Sequence, residues 1–166
     1  MPMLIRLSEG VFSQVQDVFV RLGDDEPVVG GDAIVSLGRL LSGDVARAGG
    51  GRLGVWLEPG DEVEALEGRL DQVDLVALAF PKFRDGRAFT SARLLRERLG
   101  FTGEVRAVGD VLRDQAGFMV RCGFDAFSPA DGSTVEAWAA AASRHRHVYQ
   151  RAADARAPAF LERGRG

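Results

Sequence analysis

Residues 73–80 read VDLVALAF, and residues 81–89 continue as PKFRDGRAF. Only Asp74 interrupts the first stretch, which lacks the polar alternation of a half-solvated strand. An apolar run of this length, bounded by turn formers, fits a strand covered on both faces, as in a parallel sheet. The charged stretch behind it then lies at a strand carboxyl end, where α/β sheets and barrels build their binding crevices.

Reading outward toward the C-terminus, Thr90 or Ser91 can cap a helix, ARLLRERL, whose Leu94, Leu95 and Leu99 face inward and whose Gly100 suits a left-handed end. The strand EVRAV follows, Gly109 and Asp110 turn the chain into the helical run VLRDQAGFMVRC, and Gly123 ends that run before a short strand, FDAF. A last helix is expected from about Thr134 to Gln150. Toward the N-terminus, RLGVWLE reads as a strand stopped by Pro59, and Asp61 with Glu64 predicts an N-capped amphipathic helix over Glu62 to Leu70. The first part of the chain holds short extended runs, MLIRL, VQDVFVRL and AIVSL, separated by the turn-rich GDDEP and VVGGD.

This pattern predicts one domain of the α/β class. Repeated strand–helix units form a parallel sheet, either open or a half-barrel, over residues 49–150, with a small β-rich N-terminal cap over residues 1–48. The tail, residues 151–166, is rich in Ala, Arg and Gly and reads as a frayed end or a contact arm.

Composition narrows the function classes. A formal net charge of -3 argues against duplex nucleic acid, which is met by strongly basic faces. No window of about 18 apolar residues spans a bilayer, and MPMLIRLSEG turns polar too soon for a secretory core, so a cytoplasmic address is expected. With Cys122 as its single cysteine, the chain cannot hold a four-cysteine iron–sulfur cluster or a cysteine-based zinc site. No metal site is expected. His145 and His147 point about 200 degrees apart on a helix. Gly49, Gly51 and Gly54 match G-x-G-x-x-G but precede a strand, the reverse of the dinucleotide-binding order, and no other cofactor motif is legible.

Lys82 is the only lysine in a chain that otherwise uses arginine for its cations. Its compact ammonium can titrate and act as a point charge, which a guanidinium does not. Lys82, Arg84 and Arg87 fall in one loop, and the Asp85-Gly86 turn can fold Arg87 back beside Lys82, next to a helix start near Ser91. Asp110 leaves the neighbouring strand at the same edge, followed by Arg113, Asp114 and Gln115 in the next helical turn. Together these residues describe an oxyanion site, with Lys82 and Asp110 as the acid–base candidates and Arg84, Asp85, Arg87, Arg113, Asp114 and Gln115 around the ligand. The competing reading is a salt-bridge network that fastens the loops together. Arg106, a lone charge in an apolar strand, is expected to pair with Asp125 or to reach the crevice.

Taken in order, FPKFRDGR, ARLLRERLGF, GEVRAVGDVLRDQ and RCGFDAF resemble a family of uncharacterised bacterial proteins encoded beside assimilatory sulfite reductase and described as oxidoreductases of sulfite reduction. The resemblance runs from about Gly51 to Phe127. It implies a role in sulfur assimilation, with sulfite reductase as partner and a small oxyanion such as sulfite as ligand. Two readings from other classes stand beside it: an independent small enzyme acting on a phosphorylated or carboxylated metabolite, and a docking module whose arginines meet an acidic partner surface.

Overall fold

The run at the centre of the sequence forms β6 (Leu75–Phe80), and all six of its residues are buried. The computed structural model that shows this describes residues 3–45, 50–81 and 86–144. Strands β5 (Leu53–Leu57) and β7 (Glu104–Gly109) flank β6 in parallel, pairing Leu57 with Leu78 and Phe80 with Gly109. Around this trio lie β1 (Met3–Ser8), β2 (Val11–Gln16), β3 (Val20–Arg21), β4 (Ala33–Ser36) and β8 (Ala126–Phe127). The sheet runs β2-β1-β8-β7-β6-β5-β4-β3. From β3 to β8 neighbours are parallel and follow chain order, and the sheet curls as half of a barrel; β1 joins β8, and β2 joins β1, antiparallel.

Strand alternation gives the sheet two distinct faces. On one, Val35, Val55, Val76, Leu78, Val105 and Ala107 pack into the main core with Leu40 of α1 (Leu37–Ser42), Ala92 of α2 (Arg87–Arg93), Met119 of α3 (Ala116–Cys122) and Trp138 of α4 (Val135–Ser143). The opposite face carries no helix among the described residues. There Ile34, Leu75, Ala77, Ala79 and Val108 form a smaller cluster under Phe19 and the half-buried Trp56.

The first 48 residues do not cap this sheet; their strands form both of its margins. The β1–β2 hairpin turns on Glu9 and Gly10, both at positive φ (50° and 78°), the conformation whose twist suits a two-residue hairpin. The strand–helix repeat is also incomplete. The region expected as a helix from Glu62 to Leu70 is instead two 3₁₀ turns, Val63–Leu66 and Leu70–Gln72. Val63 and Leu66 are buried as the periodicity required, but Gly68 at φ 77° breaks the run before Leu70, and Asp61 accepts from the Glu58 N–H rather than capping. Helix α2 starts at Arg87, so Thr90 and Ser91 lie inside it and cap nothing. The chain then continues as a π-helical turn, Leu94–Arg98.

Other expectations met their elements. Thr134 caps α4 through its hydroxyl, which accepts from the Ala137 N–H at 3.2 Å. Gly123 closes α3 at φ 110°, and Cys122 before it is buried. Gly51 and Gly54 are packing residues: a Cβ on Gly51 would lie 1.9 Å from the Gly31 carbonyl oxygen, and one on Gly54 2.9 Å from the Ile34 and Leu75 side chains. Gly49, His145, His147 and the tail lie outside the described residues.

Candidate functional site

The carboxyl ends of β5, β6 and β7 lie side by side, because register carries Leu57 to Leu78 and Phe80 to Gly109. At the seam between β6 and β7 the Asp110 N–H donates to the Phe80 carbonyl at 3.0 Å. Gly109 makes that turn at φ 88°, and a Cβ there would sit 2.4 Å from the same carbonyl oxygen, so only glycine fits. The Asp110 backbone is thereby fixed at the carboxyl end of β6. Lys82, Arg84 and Asp85 themselves lie outside the described residues.

Arg87, the next residue of the expected site, opens α2 and is exposed. Its Nη1 donates to the Pro59 carbonyl at 3.3 Å, tying the α2 start to the loop after β5. An open groove of about 590 Å³ runs between that loop and α2. Arg87, Thr90 and Ser91 line one wall and Asp61, Glu62 and Glu64 the other, so an anion entering the groove is confined to the α2 side.

The remaining candidates face elsewhere. Arg113, Asp114 and Gln115 form a 3₁₀ turn ahead of α3 rather than its first α-helical turn. Asp114 approaches Arg144 at the end of α4 at 3.9 Å, with both side chains exposed. Asp131 is held below the ordinary carboxylate range, mainly by the Ser133 hydroxyl and in smaller part by the Arg113 charge. Arg113 and Asp114 thus sit toward the 131–144 segment. The starts of α2 and α3 nonetheless abut, since the Phe89 and Phe118 rings lie 4.7 Å apart.

Arg106 corrects the sequence reading. It points to the helix-free face, 2% exposed, and pairs at 2.8 Å with Asp17 and at 2.8 Å with Glu104, not with Asp125. Glu104 also meets Arg6 at 2.8 Å. Asp17 belongs to the link between β2 and β3, so this ionic chain clasps that link across the sheet and lays Phe19 on it. Asp125 pairs instead with Arg96 of the π-helical turn at 3.2 Å. Burial pushes the Asp125 carboxyl above its usual range against the Arg96 attraction. Arg96 further donates to the carbonyls of Phe101, Gly103 and Gly123. These contacts lie at the amino ends of β7 and β8, where residues serve stability rather than ligand binding.

At the carboxyl margin Arg21 and Trp56, which the sequence reading did not single out, gather on Glu58. The Arg21 guanidinium stacks 3.6 Å over the Trp56 indole, whose N–H donates to Glu58 at 2.9 Å. Arg21 reaches the same Glu58 oxygen at 3.3 Å. The signal was a tryptophan inside a buried strand, but its partner on the edge strand is 35 residues earlier and only the register places it there.

A family model matches residues 54–160, which contain most of β5 and everything from β6 to α4. The chain belongs to the bacterial protein family of unknown function DUF934. The family match covers the three strand ends and the groove beside them, while β1 to β4 precede it. No curated protein matches the chain.

Proposed function

We propose that this protein serves assimilatory sulfite reduction, as an oxidoreductase or accessory protein that binds a small oxyanion at the carboxyl ends of β5, β6 and β7. The observation that carries this reading is the adjacency of three strand ends: Asp110 after β7 is fixed to the Phe80 carbonyl of β6, and Arg87 ties α2 to Pro59 after β5. Lys82, Arg84 and Asp85 stand in sequence between these anchors. Sulfite and sulfate present oxygens that a guanidinium, an ammonium and hydroxyls can hold together. The sulfite assignment is what the resemblance of the sequence motifs implies; the family that matches the chain is one of unknown function.

The six-electron chemistry of sulfite reduction runs on a siroheme and an iron–sulfur cluster. One cysteine cannot supply the cluster's thiolates, so that centre belongs to sulfite reductase, the partner in this reading. The chain's own contribution is to hold the anion with Lys82 and Arg87 and to move a proton through Lys82 or Asp110.

The test compares thermal midpoints of the wild type and Lys82→Met during titration with sulfite, sulfate and phosphate at fixed ionic strength. A ligand at one hundred times its Kd adds about 2.7 kcal/mol to the native state. For a chain of this size that raises the midpoint by roughly 5 to 10 °C. Selective stabilisation of the wild type by sulfite supports the site. Superimposable, flat curves for both proteins and all three anions contradict it.

A further inference from the structure

The groove beside α2 sorts charge by wall. On the α2 side Thr90 and Ser91 follow Arg87 by three and four residues, so the three share one helical face and bring a cation and two hydroxyls together. The other wall is acidic. Glu62 and Glu64 are exposed there, and among the described residues neither makes an ion pair. Val63 and Leu94 add an apolar lining.

Both walls are anchored. Arg87 spans the groove to the Pro59 carbonyl at 3.3 Å, which keeps the walls within the reach of one arginine side chain at that end. Buried Val63 and Leu66 hold the acidic turn, Asp61 accepts from the Glu58 N–H at 2.8 Å, and buried Ala88 and Ala92 hold the opposite wall. At such separations the carboxylates repel a bare oxyanion that the α2 wall attracts. A ligand with one charge of each sign meets both walls favourably.

From this opposition we infer that the groove takes a small zwitterion, an amine bearing an oxyanion head, with the head on Arg87, Thr90 and Ser91 and the ammonium at Glu62 and Glu64. The anionic end rests on the oxyanion reading, and the cationic end extends it. The Pro59 contact occupies one of the five donors of the Arg87 guanidinium, whose planar fork suits an oxyanion. The acidic wall supplies selectivity as well as affinity, because the groups that hold an ammonium reject anions lacking one. The short carbon link of such a ligand lies along Val63 and Leu94.

Thermal-midpoint titrations at low, fixed ionic strength compare taurine with ethanesulfonate, which lacks the ammonium, and with ethylammonium, which lacks the head. The wild type is expected to bind taurine roughly fivefold more tightly than either fragment, the range for solvent-exposed ion pairs. The double variant Glu62→Gln, Glu64→Gln should lose the preference for taurine over ethanesulfonate, and Glu64→Lys should reverse it. If the double variant fails to fold, Glu64→Lys decides. Equal binding of taurine and ethanesulfonate by the wild type, or a preference for taurine that persists in either folded variant, overturns the zwitterion and leaves the oxyanion reading standing. So does binding of sulfite without binding of taurine. Ethylammonium as tight as taurine overturns the zwitterion from its other end. Absence of binding by all of these ligands overturns both readings.

Discussion

Gly109 and Asp32 show how much single residues settle here. Gly109→Ala must place a methyl group 2.4 Å from a backbone oxygen in a left-handed conformation, and neither the Phe80 carbonyl nor the turn can yield cheaply. We expect a loss of roughly 2 to 4 kcal/mol, read as a lower urea midpoint at unchanged slope. Asp32 receives the Arg52 backbone N–H at 2.8 Å and its side-chain Nε and Nη2 at 3.0 and 2.6 Å. The Arg52 guanidinium, its main partner, holds the Asp32 carboxyl below its ordinary value of 3.8. A depressed carboxylate contributes stability above its unfolded pKa and loses it as pH falls through the folded one. Asp32→Asn should therefore cost up to about 1 kcal/mol at neutral pH, the range for a solvent-screened pair. In urea titrations the gap to wild type should close as pH drops below 3.8.

At the scale of elements, β7 carries the most instructive charge. Arg106 is buried with two carboxylates around it, and removing one member of such a group strands the others. Arg106→Met should cost about 3 kcal/mol or more, with partial recovery when Asp17→Asn and Glu104→Gln are added. Full additivity of the three changes in denaturant unfolding would mean that the clasp is not one unit. Elements specified by local chemistry were legible in sequence: β6 by its unbroken apolar run, α3 by its closing Gly123, and the start of α4 near Thr134. The helix expected over Glu62 to Leu70 was not, because buried Val63 and Leu66 satisfy a helical spacing within a single 3₁₀ turn before Gly68 ends it. Thr90 and Ser91 misled for a related reason. Ala88 and Phe89 pack into the core one turn earlier and carry the helix start back to Arg87.

For the whole molecule, the order of the parallel strands follows from sequential strand–helix units, but the placement of β1 to β4 at both margins does not. Pairing between Ile5 and Phe127, 122 residues apart, has no local signature. The same holds for the site. Asp110 and Arg87 could be assigned to neighbouring strand ends from the alternation of elements, while the departure of Asp114 toward Arg144 and the stacking of Arg21 on Trp56 depend on tertiary register. The half-barrel leaves the ends of β5, β6 and β7 adjacent, and the oxyanion reading rests on that adjacency. Calorimetric titration of sulfite into the wild type and into Lys82→Met tests it most directly, with sulfate and phosphate as competitors. Saturable, roughly one-to-one binding of sulfite by the wild type is expected, weakened at least tenfold in the variant, a loss of about 1.4 kcal/mol. Absence of binding heat and of competition in either protein, or equal affinity in both, would contradict it.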